Sequence, residues 1–375
     1  MKKYSSKVNA FLLHFMTLWL ALGLALVLPV RARSTLHWIE LENGKRVWMS
    51  EQEVFDFAVS RSGKNADLTF RDVTDEYLDR TEQKKMKVPN IDFIHLNPSQ
   101  TSRVNDLNKS LQAKDLLEVD RNVEALGLRY YESQKGADAA TWLHDRFITL
   151  AMGRTDIEVL YFNHSFKQPS VIARIKGNGP HASERVIIGA HEDSIVGAGA
   201  DDDGSGVATV LEAFRVIAAS DYKPDRTIEF ILYAAEEPGL IGSHYVAASY
   251  ASKEIPVAGV LQLDMTLYPD SAHKFFMFTG SSCPSPAITQ FLLKLAKTYS
   301  AMGVTTSAEN NYSTDHASWC SVGTPATRVR EGKDLNPYMH STEDTSDRVD
   351  PVFGLEFVKL SIAFAVEVAE APIQK

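Results

Sequence analysis

From residue 157 onward the chain alternates short apolar runs with longer amphipathic segments, and this alternation restricts its fold more than any other feature. Ile157–Phe162, Val171–Ile175, Arg185–Ala190, Thr227–Ala235, Val257–Asp264, Phe275–Thr279 and Pro325–Arg330 read as strands. Val186-Ile187-Ile188 is a short continuous apolar run of the kind found in buried strands. Ala137–Met152, Gly206–Ala219, Gly242–Tyr250, Ile288–Tyr299 and Phe353–Ala369 read as helices. In the second of these, Val207, Val210, Leu211, Phe214 and Ile217 fall on one face at the helical period. The alternation predicts an α/β fold, a three-layer sandwich with a mostly parallel central sheet.

In such sheets ligands bind beyond the carboxyl ends of the strands. Here those ends share one chemistry. One strand runs into His191-Glu192-Asp193, another into Glu236-Glu237 and a third into Asp264, while the loop before a good helix carries Asp201-Asp202-Asp203. Carboxylates gathered in one place repel one another and need cations to stay ionised. These motifs contain no lysine or arginine, so metal ions are the simplest counter-charge. Carboxylates with neutral imidazole suit zinc. Two histidines and several acids fit two ions that share a bridging carboxylate, activate water and steady a developing oxyanion. Asp193 lies two residues beyond His191, on the same side of an extended chain, where it would hold the far ring nitrogen. Neighbours at a strand end point in different directions, so one of Glu236 and Glu237 can bind metal while the other faces the substrate water as a general base.

Other chemistries are disfavoured. There is no His-Glu-x-x-His helix, no P-loop and no Cys-x-x-Cys pair, and Gly204-Ser205-Gly206 does not fit a nucleophile elbow. A formal net charge of −9 argues against nucleic-acid binding through phosphate contacts. Two cysteines are too few for a disulfide scaffold. Lys2, Lys3 and Lys7 precede an almost wholly apolar run from Phe11 to Val30, and Val30-Arg31-Ala32 offers small residues around a cut. That is the pattern of a secretory signal peptide over 1–32, with an uncleaved anchor as the alternative. Cleavage would leave 35 basic against 48 acidic residues, a charge of −13, on a secreted protein with no stable membrane association. Residues 33–90 show no strong period and read as a propeptide or a small subdomain. Lys84-Lys85-Met86-Lys87 forms a plausible exposed cutting point near its end. Residues 91–375 form the main domain.

The motifs together are recognisable. Gly189-Ala190-His191-Glu192-Asp193-Ser194, Gly199-Ala200-Asp201-Asp202-Asp203-Gly204-Ser205-Gly206, Tyr233-Ala234-Ala235-Glu236-Glu237-Pro238-Gly239-Leu240, Gln262-Leu263-Asp264-Met265 and Asn336-Pro337-Tyr338-Met339-His340 occur in this order. In these the chain resembles the secreted bacterial leucyl aminopeptidase family of di-zinc exopeptidases, over residues 95 to 370. The resemblance implies two zinc ions per chain: His191 and Asp264 on one, Glu237 and His340 on the other, and Asp202 with a water bridging both. It implies that Glu236 is the general base and that Asp193 orients His191. His340 is assigned by the resemblance alone. The family often has a cis bond after the bridging aspartate, here Asp202–Asp203, and either Asp203 or Ser205 is placed to cap the helix that follows. Met265, Tyr312, His316 and Met339 are candidates for substrate contacts. The implied activity is removal of N-terminal residues from peptides with a free amino terminus, by a monomer.

Two departures from the family stand out. Where leucine-preferring relatives line the pocket with apolar side chains, Pro325–Arg330 places Arg328 and Arg330 on one face. Two guanidiniums there would favour an acidic first residue, unless they bend outward or pair with Glu331. The family's closely spaced disulfide is absent, and Cys283 and Cys320, 37 positions apart, are free to pair or not by sequence alone. Rival readings are a glutaminyl-cyclase-like zinc transferase on the same fold, a non-catalytic peptide-binding domain, and a carboxypeptidase or dipeptidase. The last lacks support because no lid domain is inserted between the motifs.

Overall fold

The apolar runs become strands because both of their faces are covered. The structure is a computed structural model that describes residues 36–41, 45–61, 70–74 and 84–374, so the expected export signal over 1–32 lies outside the described residues. The described chain opens with β1 (Leu36–Leu41), β2 (Arg46–Ser50), α1 (Glu51–Val59) and β3 (Phe70–Asp72), with the strands paired antiparallel in the order β2-β1-β3. A capping box starts α1: the Ser50 hydroxyl accepts from Glu53 N, and the Glu53 carboxylate accepts from Ser50 N at 2.7 Å. Helices α2 (Thr101–Asn108), α3 (Ala113–Glu124) and α4 (Gln134–Leu150) follow.

The main sheet contains β4 (Ile157–Phe162), β5 (Ser170–Ile175), β6 (Arg185–His191), β7 (Thr227–Tyr233), β8 (Val257–Leu263), β9 (Phe275–Phe278), β10 (Val304–Ser307) and β11 (Ala326–Glu331). Its order is β10-β9-β11-β8-β6-β7-β5-β4. The connecting helices are α5 (Gly204–Ala218), α6 (Ile241–Ser252), α7 (Pro286–Tyr299), α8 (His316–Ser321) and α9 (Pro351–Ala369). Alternate strand residues divide between two cores. Val186, Ile188, Ala190, Ile228, Phe230 and Leu232 meet α5, α9 and their neighbours, whereas Ile187, Ile231 and Tyr233 meet Val246 and Tyr250 of α6 and Trp319 of α8. This gives the expected α/β sandwich.

The parallel pairs are those of the centre, β11-β8-β6-β7, and the edge pair β10-β9; β5 joins β7, β4 joins β5 and β9 joins β11 antiparallel. The turn over residues 163–169 is short enough to return β5 beside β4 as a hairpin, while a parallel neighbour needs a long crossover. The strands and helix of residues 36–72, helices α2, α3 and α8, and strand β10 were not expected from periodicity, because each is short or mixed in polarity.

The N-terminal elements dock on the main body. Ile39, Val54, Ala58 and Phe70 bury together around Ile195, in the loop after β6, and Asp72 N donates to Gly239 O (3.1 Å) in the loop after β7. The Lys84–Lys87 stretch is not a free tip. Met86 is buried and its amide donates to Val322 O (2.7 Å), Val257 N donates to Lys87 O (3.2 Å), and Lys84 pairs with Glu254 at 2.6 Å.

Phe214 of α5 is fully buried between Phe147 and Phe230, with ring centroids 5.0 and 5.3 Å away. Phe214→Ala would open a cavity in the larger core and should cost about 3–5 kcal/mol. The shift in the denaturant midpoint measures it, and a cost below about 1 kcal/mol would mean the site collapses around the gap.

Candidate active site

The site lies where β6, β7 and β8 end. His191 is the last residue of β6, Glu236 and Glu237 follow β7, and Asp264 follows β8. The backbone takes positive φ at Ala235 (54°) and Met265 (65°), beside Glu236 and Asp264. Left-handed geometry at non-glycine residues clusters at sites whose surroundings over-determine it. The Asp202–Asp203 bond is cis, and Asp203 caps α5 through Gly206 N.

The two imidazoles face one carboxylate. Asp202 Oδ1 lies 3.2 Å from His191 Nε2, and Asp202 Oδ2 lies 3.0 Å from His340 Nε2. Glu237 Oε2 lies 2.9 Å from His340 Nε2, and Asp264 Oδ1 lies 4.0 Å from His191 Nε2. All five side chains are buried. The donor set fits zinc: His191, Asp203 and Asp264 bring ligand atoms within 4.8 Å of one another, as do Asp202, Glu237 and His340, and the far nitrogen of each imidazole is already held. The far nitrogen of His340, Nδ1, is 3.1 Å from the Ala58 carbonyl. That of His191 is 3.2 Å from the Asp193 carbonyl and 3.5 Å from its carboxylate.

Asp203 also sits beside His191 and Asp264, but its oxygens are engaged. Oδ1 accepts from Gly206 N (2.9 Å) and Met265 N (3.0 Å), and Oδ2 accepts from His191 N (3.1 Å). It therefore reads as a brace, with Asp202 as the shared group. Asp193 braces the site in a similar way. Its carboxylate lies 3.5 Å from His191 Nδ1, on the far side of the ring as expected, and also accepts from Glu236 N (2.9 Å) and Glu237 N (3.2 Å).

Electrostatics follow from crowding. Burial pushes the Glu236 carboxyl well above its ordinary range; His191 opposes this, and Asp315, Asp264 and Glu237 reinforce it. Burial would also raise Asp202, but His191 and His340 hold it far below the usual carboxylate range. Burial lowers His191 and His340, yet facing carboxylates, led by Glu236 and Glu237 respectively, raise both imidazoles on balance.

Beyond Asp264 the cleft is lined by Met265, Met339, Leu335, Phe278, Arg328 and Arg330, with Asn311, Ser313 and Arg61. The two arginines turn inward. Arg328 Nη1 donates to Asn311 Oδ1 (3.0 Å) and Ser313 Oγ (2.6 Å), its Nη2 lies 3.9 Å from Asp264, and Arg330 lies 4.9 Å over the Phe276 ring. Glu331 faces away from them, accepting from Tyr268 N at 2.6 Å.

Two expected substrate contacts do not reach the cleft. His316 is fully buried and its Nε2 bonds the Asn311 carbonyl (2.9 Å); burial, aided by Arg328, lowers its pKa to about 3, so it is a neutral prop under the loop of Asn311. Tyr312 is 45% exposed, with its hydroxyl 2.8 Å from Ser282 Oγ. Cys283 and Cys320 form a disulfide that ties the segment before α7 to α8. Sequence reading missed four residues. Arg129, fully buried, donates to the carbonyls of Glu192 (2.8 Å), Ala198 and Gly199 and holds the loop after His191. Asp344 accepts from Asp201 N and Asp202 N (3.1 and 3.0 Å), and Asn336 donates to Asp201. Arg61 enters the pocket from α1's end. Asp344 had a signal, the acidic Ser341–Asp344 turn, but a polar turn looks the same when it is only solvated.

A mixed sheet whose carboxyl ends converge on paired imidazoles and carboxylates defines a metal-dependent hydrolase. The chain belongs to peptidase family M28, as an aminopeptidase, and the match to the Peptidase family M28 profile spans residues 170–364. It is 30% identical over 357 residues to leucine aminopeptidase 1 of Paracoccidioides brasiliensis (strain Pb18), covering 89% of this chain and 90% of that protein. The LapA aminopeptidase of Legionella pneumophila superposes with a TM-score of 0.76 at 29% identity, over 90% of this chain and 94% of LapA. A glutaminyl cyclase from Porphyromonas gingivalis shares the fold at 17% identity, with a TM-score of 0.53 over 68% of this chain and 97% of the cyclase.

Asp203→Ala would strand three buried amides, each costing about 1–3 kcal/mol. The expected result is a lower thermal midpoint and weaker zinc retention against a chelator. Unchanged values for both would show that the amides find other partners.

Proposed function

We propose that this chain is a di-zinc aminopeptidase, secreted as a monomer after loss of residues 1–32, that removes acidic residues from the free N-termini of peptides. One observation carries the two-metal reading: Asp202 turns a different oxygen to each imidazole, 3.2 and 3.0 Å away. In this reading His191 and Asp264 hold one zinc, Glu237 and His340 hold the other, and Asp202 joins them. When bound, the pair supplies Lewis-acid polarisation of the scissile carbonyl and a more acidic water.

The chain's own groups do the rest. Glu236 is buried, lines the cleft and is not needed as a ligand. It takes the proton of the attacking water and hands it to the departing amine. The free ammonium of the substrate sits against the cleft carboxylates, which internal peptide positions cannot exploit. The side chain of the first residue extends toward Arg328 and Arg330. Both are held over aromatic rings, so their positive charge is already in place when a carboxylate arrives.

Glu236→Ala should lower kcat by about 10²–10⁴-fold while zinc stays bound, as read by metal analysis. Full activity in that variant would remove Glu236 from the mechanism. A chelator should abolish release of p-nitroaniline, and added zinc should restore it at two ions per chain. A content near one, with cyclisation of N-terminal glutamine, would move the reading to a glutaminyl-cyclase-like transferase. Among Glu, Leu and Lys p-nitroanilides, Glu should lead. Arg330→Ala should lower kcat/KM on Glu by about 10-fold or more, the usual worth of a charged hydrogen bond. Equal or faster turnover of Leu by the native chain would return the pocket to an apolar preference.

A further inference from the structure

We infer that the N-terminal subdomain, residues 36–74, is a working part of the mature enzyme: Arg61 reads the substrate's first side chain, and the Ala58 carbonyl positions His340. The inference rests on the peptidase reading above and takes it further, because it assigns two site functions to a region that could otherwise be a disposable leader.

The last turn of α1 lies over the cleft. Arg61 lines the same pocket as Arg328 and Arg330 and is only 8% exposed. Its guanidinium rests on Phe70, 5.2 Å from the ring centroid, and its buried Nε makes no hydrogen bond among the described residues. A buried guanidinium with a donor still to place is suited to an incoming carboxylate. Three residues earlier, the Ala58 carbonyl accepts from His340 Nδ1 at 3.1 Å. That bond fixes the tautomer that leaves Nε2 facing Asp202 and Glu237, the role an outer carbonyl plays for a metal histidine.

The docking is that of a permanent part. The subdomain shares a small core with Ile195 and pairs backbone with Gly239, so it grips the loops that follow β6 and β7. Removing it would expose that core and leave His340 without its carbonyl. The chain that leads away from it is tied down again at Met86.

The test has two arms on the full, zinc-loaded chain. In the first, a site-specific protease sequence is placed between residues 75 and 83 and cut after folding. The fragment should co-elute with the body, zinc should resist a chelator as before, and Glu p-nitroanilide turnover should stay within about twofold. Release of the fragment with a rise in turnover on every substrate would overturn the inference and make the subdomain an inhibitory cover. In the second arm, Arg61→Ala should lower kcat/KM on Glu p-nitroanilide by about 10-fold or more, chiefly through KM, with Leu p-nitroanilide little changed, and Arg61→Lys should recover part of the loss. Equal effects on both substrates would assign Arg61 to structure alone. Calorimetric binding of free glutamate and free leucine to zinc-loaded Glu236→Ala, with and without Arg61→Ala, separates the two readings. No hydrolysis by the native chain would defeat the peptidase reading. Unaltered glutamate-over-leucine discrimination in the double variant would defeat the assignment of Arg61.

Discussion

The site is held by hydrogen bonds from backbone amides to buried carboxylates that stand behind the proposed ligands. Asp203 collects amides from His191, Gly206 and Met265, Asp193 collects those of Glu236 and Glu237, and Asp344 those of Asp201 and Asp202. The segments that carry His191, Asp202, Glu237 and Asp264 are thereby gripped through their backbones by buried carboxyl groups that cannot move to water. Arg129 does the converse, drawing in three carbonyls of the loop after His191. A loop at a sheet edge would otherwise wander by more than the fraction of an ångström a metal centre tolerates. The cost is a high density of buried negative charge, affordable only beside cations. His191 and His340, both drawn toward their charged form, show how strong the local demand for positive charge is.

How much of this was legible follows from which groups sit on regular elements. His191, Glu236, Glu237 and Asp264 could be found because buried strands announce themselves as apolar runs, and the residue after such a run is at the sheet edge by construction. Asp202 was legible from the acidic loop before a strong helix. His340 was not, since it sits in a turn at φ 55° with its partner carbonyl 282 positions away, and no local pattern encodes that meeting. Arg129 and Arg61 were illegible for a related reason: a lone arginine in a mixed segment reads as surface until tertiary packing buries it. The parallel centre of the sheet was readable, but its antiparallel flanks depend on how the short connections fold back, which periodicity does not report.

Those flanks matter for specificity. The proposed metal ligands Asp264 and His191 come from the parallel centre, whereas the far wall of the pocket comes from the β9–β11 join. That join is antiparallel and sets Arg330 opposite Phe276. Because side chains alternate along both strands, Arg328 and Arg330 then share a face with Phe276 and Phe278, and the guanidiniums come to rest on the rings. The stacking restrains two otherwise mobile side chains, so less rotamer freedom remains to be lost when a substrate carboxylate arrives.

The division has a consequence for how such a site can change. Exchanging residues along β11, or at the end of α1, alters what the pocket accepts without touching the amide–carboxylate bonds that fix His191, Asp202 and Asp264. Arg328 is the exception on β11, because it reaches within 3.9 Å of Asp264 and also holds Asn311 and Ser313. It therefore belongs to both halves, and replacing it should disturb zinc binding and substrate choice together. Arg330, which rests on Phe276 and Phe278, and Arg61, which rests on Phe70, are the positions where substrate preference can shift with the proposed metal centre left intact.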